Sequence, residues 1–215
     1  NTPKEYHGKQ YTTYEATQQQ RKMERAMRAQ REKIKLLKEG GADEQEIILA
    51  KAKYQGQMQT YKDFSEKMGL KEQKARITQD GLRGKFMPTK AEQKALEESA
   101  INDKIKAELS EAKIKGIPQI NPHKIDVSEF TFDNSHINAV REHGVTRAEA
   151  EQFIKESDIS LTRWKGRFIN YYGPNGATYV DVENNNIRTA FKKEQFDAPT
   201  LKIREVAEKY GIKKD

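Results

Sequence analysis

The sequence predicts an α+β fold: a long N-terminal helical hairpin, then a mixed domain of two helices, a four-stranded antiparallel sheet and a closing helix. Three observations predict it. Up to about residue 70 the apolar residues recur at helical spacing, and from about residue 160 they alternate with period two. Between these regions, "KGIPQINPHKIDVSEFTF" places Pro118 and Pro122 where no helix interior can continue.

From Tyr14 to Glu39 there is neither Pro nor Gly, and Met23, Met27, Ile34 and Leu37 step by four, seven and three. Gly40 and Gly41 stop this first helix, and Asp43 is placed to cap the next. The second helix carries Ile47, Tyr54, Met58, Tyr61, Phe64 or Ser65, and Met68 before Gly69. Two helices of about 25 residues with thin apolar seams make an antiparallel hairpin, a spacer or docking element. Thr89 and Glu92 form a capping box for a third helix to about Lys113, with Ala91, Ala95, Ile101, Ile105 and Leu109 on one side. The expected organisation is therefore a hairpin over 1–87, a connecting helix and linker over 88–117, and a domain over 118–215.

Within that domain, Asn134 or Ser135 caps a short helix ending at Gly144, and Thr146 with Glu149 caps a second helix to about Glu156. "SLTRW", "RFINYY", "ATYVDV" and "IRTAF" then read as a four-stranded antiparallel meander. Asn175-Gly176 and Asn184 to Asn186 are suited to the left-handed positions of tight hairpins. A helix from about Thr200 to Tyr210 closes the domain.

Composition narrows the class. The chain has 215 residues, 34% charged and 34% hydrophobic, with a mean hydropathy of −1.02, too polar for one compact core throughout. No apolar run approaches the roughly 18 residues needed to cross a bilayer, and no signal-peptide pattern is present, so a soluble protein without a membrane-spanning segment is expected. Cysteine is absent, which removes disulfides, thiolate nucleophiles and cysteine-based zinc sites. The chain begins with Asn, which predicts that Asn1 is internal to a longer protein. The net charge of +7 lies in the N-terminal part: residues 1–87 hold 19 Lys and Arg against 12 Asp and Glu, whereas residues 88–215 hold 21 of each. Such basicity attracts phosphate polymers or simply solvates a helix face.

The candidate chemistry lies in the C-terminal domain. Residues 160–193 carry Arg163, Lys165, Arg167, Arg188, Lys192 and Lys193 against Asp181 and Glu183. Tyr171 and Tyr172 share that sheet, and phenol rings beside cations suit nucleotides, or else the sheet face is merely solvated over core tyrosines. On "IRTAFK", alternation puts Ile187, Thr189 and Phe191 on one face and Arg188, Ala190 and Lys192 on the other. His136 falls on the first turn of its helix, where a neutral imidazole is favoured. A neutral histidine there is able to take a proton from a ribose 2'-hydroxyl while Arg or Lys stabilises phosphorane charge. His143, at "EHG", reads as a helix-end capping cation. Seven helical residues separate the two by about 10 Å of rise, so they are not expected to share a metal ion. No cofactor is expected, and the phosphate-loop, dinucleotide, zincin and nucleophile-elbow motifs have no match.

"YTTYEATQQQRKMERAMRAQREKIKLLKEGG" and "YKDFSEKMGL", within residues 10–86, resemble the C-terminal helical region of phage minor capsid proteins related to the phage Mu F head-morphogenesis protein. "FTFDNSHINAVREHGVTRAEAEQFI" through "INYYGPNGATYVDVENNNIRTAFKKEQFD" is similar to nuclease toxin domains of the barnase, EndoU, colicin and RelE-like (BECR) fold. "REHGVTRAEA" also resembles the Arg-Lys-His-Gly-Val stretch of BrnT toxins. The resemblance implies metal-independent RNA cleavage, with His136, Tyr172, Arg188 and Thr189 catalytic. It implies Arg141, Lys165 and Lys192 as further candidates, joined by Tyr171 for substrate binding. It further implies RNA, tRNA among the candidates, and phage head or portal proteins as partners. An immunity protein is a further candidate partner, and a virion location with delivery to the bacterial cytoplasm is expected.

The rival expectations are a structural minor capsid protein whose C-terminal module binds protein or nucleic acid without cutting it, and a nucleic-acid-binding adaptor. A basic cleft holding His136 and Arg188 together is what the ribonuclease reading requires.

Overall fold

The computed structural model describes residues 2–72 and 82–211 and divides the chain into two compact units, Asn1–Leu96 and Glu97–Asp215. No described helix is long and apolar enough to cross a membrane.

The first unit opens with a hairpin of β1 (Lys4–Tyr6) and β2 (Lys9–Tyr11), turned by His7 and Gly8 at φ of 49° and 77°. Thr12 and Glu15 form a full capping box for α1 (Thr13–Glu39), and Gly41 at φ 68° turns the chain into α2 (Glu44–Met68). Met27, Ile34, Tyr54 and Tyr61 bury one another along the seam, as the helical spacing predicts. Ile48, rather than Ile47, is the buried isoleucine. The seam is thin enough to need polar filling. Gln20 donates to Ser65 Oγ at 3.0 Å and Gln30 to the Ala50 carbonyl at 2.9 Å, which satisfies amides that burial would otherwise penalise.

The division between units falls inside α3 (Lys90–Glu111), within the stretch expected as a connecting helix and linker. Its start carries the Thr89–Glu92 capping box, and its last turns bury Ile105 and Leu109 in the second unit.

The second unit is built on β3 (Ile117–Ile120), β4 (Thr131–Phe132), β5 (Ile159–Arg163), β6 (Phe168–Tyr172), β7 (Gly176–Asp181) and β8 (Asn186–Lys192). Their order is β3-β5-β6-β7-β8-β4. The meander β5 to β8 matches the four expected strands, but the sheet has six and is not wholly antiparallel, since β4 runs parallel to β8. The extra strands come from the proline-containing segment read as linker and domain entry. Pro118 is accommodated because β3 is an edge strand, where a missing donor costs no ladder bond on the open side.

Helices pack on both faces of the sheet, so this unit has three layers. On one face α3 and α5 (Ala198–Tyr210) pack Leu109, Ile203 and Val206 against Ile159, Leu161 and Tyr172. On the other, α4 (Arg147–Glu156), capped by Thr146 and Glu149, packs Ala150, Phe153 and Ile154 against Tyr171, Val180, Ile187 and Ala190. Gly176 does not take the left-handed turn position expected of it. It lies in β7, where a Cβ would stand 2.5 Å from the Phe153 ring, so its smallness serves close packing. Of the three asparagines 184 to 186, Asn185 takes the left-handed turn, at φ 48°.

Candidate active site

The short helix expected to run to Gly144 is a six-residue π-helical turn, Ser135–Val140. Its end follows from Asn138. That side chain donates to the Val145 carbonyl at 2.8 Å and accepts from the Val145 amide at 2.9 Å, folding the chain back on the turn. Glu142 and Gly144, at φ of 54° and 63°, make the reversal. The His143 amide donates to the Ile137 carbonyl at 3.0 Å. His143 therefore does not end a helix two turns further along, as the sequence leads one to expect. It returns beside the turn that carries His136.

Both histidines line a cleft of about 400 Å³, together with Arg141, Arg188 and Thr189. The cleft floor is the uncovered part of the α3–α5 side of the sheet, where Phe168, Asn170, Tyr179, Thr189 and Phe191 alternate inward. Simple alternation along β8 predicts Arg188 and Thr189 on opposite faces, yet both face the cleft. A register shift explains this: Tyr179 pairs with Thr189 but Val180 pairs with Ile187, leaving Arg188 as the extra residue of a β-bulge. A bulge inserts one residue and re-aims its side chain.

Among the described residues Arg141, Arg163 and Arg188 make no salt bridge, whereas Arg147, Arg167 and Arg204 each do. The one carboxylate of the lining, Asp197, caps α5 through the Thr200 amide at 3.0 Å. Arg188 is held by an aromatic surface instead, its guanidinium carbon 4.8 Å from the Phe168 ring centroid. Burial pushes His143 below the ordinary histidine value, opposed by a hydrogen bond with Gln195 and aided by the charges of Arg141 and His136. Its ring packs 5.7 Å from Phe191, and its Nδ1 has no hydrogen-bond partner among the described residues.

Four of the eight residues proposed from sequence do not line this cleft. Tyr171 is fully buried on the opposite face, its hydroxyl donating to the His123 carbonyl at 2.8 Å, so it has no ring face to offer a base. Tyr172 is 3% exposed and donates to the Tyr179 hydroxyl at 2.9 Å; burial above all, then Tyr179, pushes it well above the ordinary phenol value. Tyr179, not Tyr172, is the tyrosine that reaches the cleft. Lys192 pairs with Glu149 at 3.6 Å. Lys165 is exposed at the β5–β6 turn, outside the lining.

No protein-family model, curated protein or solved structure matches the chain. What the cleft is able to do must come from its own side chains. Among the described residues no three His, Asp or Glu converge to hold a metal ion. Two imidazoles, a hydroxyl and three guanidiniums that make no salt bridge among the described residues suit proton transfer at an anionic centre. His143, Arg163, Trp164 and Gln195 were outside the residues proposed from sequence. For Arg163 and Trp164 the "RWKGR" turn carried a signal, a lone tryptophan set among cations.

Proposed function

We propose that the second unit is an endoribonuclease of BECR-like architecture that cleaves RNA by internal transesterification. The observation that carries this reading is the convergence of His136, His143 and Arg188 on one cleft. His143, favoured as the neutral ring, removes the 2'-hydroxyl proton. O2' then forms a bond to phosphorus, the P–O5' bond breaks, and its electron pair stays on O5', which takes a proton from His136. The products are a 2',3'-cyclic phosphate and a 5'-hydroxyl. Arg188 and Arg141 neutralise the charge that builds on the non-bridging oxygens, and the Thr189 hydroxyl donates to one of them.

The resemblance of the N-terminal hairpin to Mu F-related proteins supports a carrier that is a phage minor capsid component. Head or portal proteins are then its assembly partners, bacterial RNA its target after delivery to the cytoplasm, and an immunity protein its antagonist.

Purified chain incubated with total RNA in EDTA is expected to give discrete fragments with cyclic phosphate ends. His136→Ala and His143→Ala should each slow cleavage by about 10²- to 10⁴-fold. Activity abolished by EDTA and restored by a divalent ion would overturn this mechanism. Intact RNA with folded protein would favour a structural capsid role.

A further inference from the structure

Trp164 is the chain's only tryptophan and is 75% exposed. It sits in the turn Trp164–Gly166 between β5 and β6 and lines the cleft beside Arg163. Its φ is 53°, as is that of Lys165, and Gly166 follows at 93°. A bulky residue in the left-handed region is a genuine outlier, and such strain persists only where the surrounding structure enforces it. The tight β5–β6 hairpin itself imposes these left-handed positions, and it leaves the indole at its tip exposed instead of buried. The surroundings indicate what it is displayed to. Arg141, Arg163 and Arg188, which make no salt bridge among the described residues, supply cations in the same cleft, and a flat aromatic surface beside phosphate-binding cations is how unpaired nucleotides are held.

We propose that Trp164 stacks an unpaired nucleobase next to the phosphate bound by the arginines, so that the cleft takes single-stranded RNA or loop nucleotides rather than duplex. This rests on the ribonuclease reading for the identity of the polymer. In A-form duplex the base faces are already stacked and closed to a side chain, so a stacking platform discriminates against it.

The lone tryptophan is its own probe. The full chain is titrated with a 2'-O-methyl single-stranded RNA oligonucleotide, which cannot undergo transesterification, with the same strand annealed to its complement, and with inorganic polyphosphate. The expected result is quenching of Trp164 fluorescence by the single strand and little change with duplex or polyphosphate. By anisotropy of a labelled strand, Trp164→Ala should weaken single-strand binding by about 5- to 100-fold, with Trp164→Phe keeping most of the affinity. Equal binding of single strand and duplex, or unchanged binding by a folded Trp164→Ala chain, would overturn the proposal and leave the indole as a protein-docking contact. Single-strand quenching without cleavage of native RNA would instead retain the stacking site and discard the nuclease. Cleavage of native RNA that is indifferent to Trp164→Ala would do the reverse.

Discussion

Seven positions separate His136 from His143, and the reversal at Glu142 and Gly144 returns His143 beside the turn that carries His136, where both line one cleft. Their difference in setting has a measurable consequence. Burial holds His143 below the ordinary value of about 6.5, so as pH falls the unfolded chain takes up that proton first. The stability it contributes is complete above about pH 6.5 and is lost as pH falls through the lowered folded value. Thermal unfolding should therefore show a decline in Tm between about pH 7 and pH 5 that is smaller in His143→Asn. The carboxylates held low, Glu149 and Asp181 among them, titrate at lower pH and act outside this window. Equal declines in the two chains would mean that burial of His143 does not perturb its titration.

At the scale of elements, the cleft depends on two irregularities: the foldback after the π-helical turn and the bulge in β8. Asn138 holds the first through both polar groups of Val145, a residue only 1% exposed. Asn138→Ala leaves that amide and carbonyl without partners, at a cost of about 1–3 kcal/mol for each group left unsatisfied. The expected outcome is a lower Tm and, on the proposed ribonuclease reading, a loss of cleavage larger than the stability change explains, because His143 loses its placement. A variant with wild-type Tm and wild-type rate would show that the foldback does not position the histidine. The capping boxes at Thr89–Glu92 and Thr146–Glu149 were legible in sequence because a cap is a local interaction over four residues. The β3 strand was not, because a proline-bearing segment becomes a strand only once an edge exists to receive it.

Across the whole chain, charge is divided unevenly: the excess of Lys and Arg lies in residues 1–87, while the cleft belongs to the second unit. On the proposed ribonuclease reading, salt dependence separates two modes of RNA binding. Three arginine contacts to phosphates of a single strand predict a slope of about −2 in log K against log salt, at roughly 0.7 per contact. A much steeper slope would show that the cations of the helical hairpin bind the polymer too. The measurement is oligonucleotide affinity over a salt series, repeated with Arg188→Ala, which should make the slope shallower by about 0.7.

The sequence by itself determined the α+β class, the helical hairpin and its glycine turn, the four meander strands and the closing helix. Each of these is written in residue periodicity and local caps, interactions that reach only a few positions along the chain. It also marked His136, Arg141, Arg188 and Thr189. The tertiary structure alone decided which of those share a cleft, that His143 joins them, and that Tyr171 and Tyr172 are buried. The physical reason is the same in each case. A bulge shifts side-chain facing by one residue, a foldback reverses the chain, and a second helical layer covers a face that alternation leaves open, none of which a two- or 3.6-residue period records.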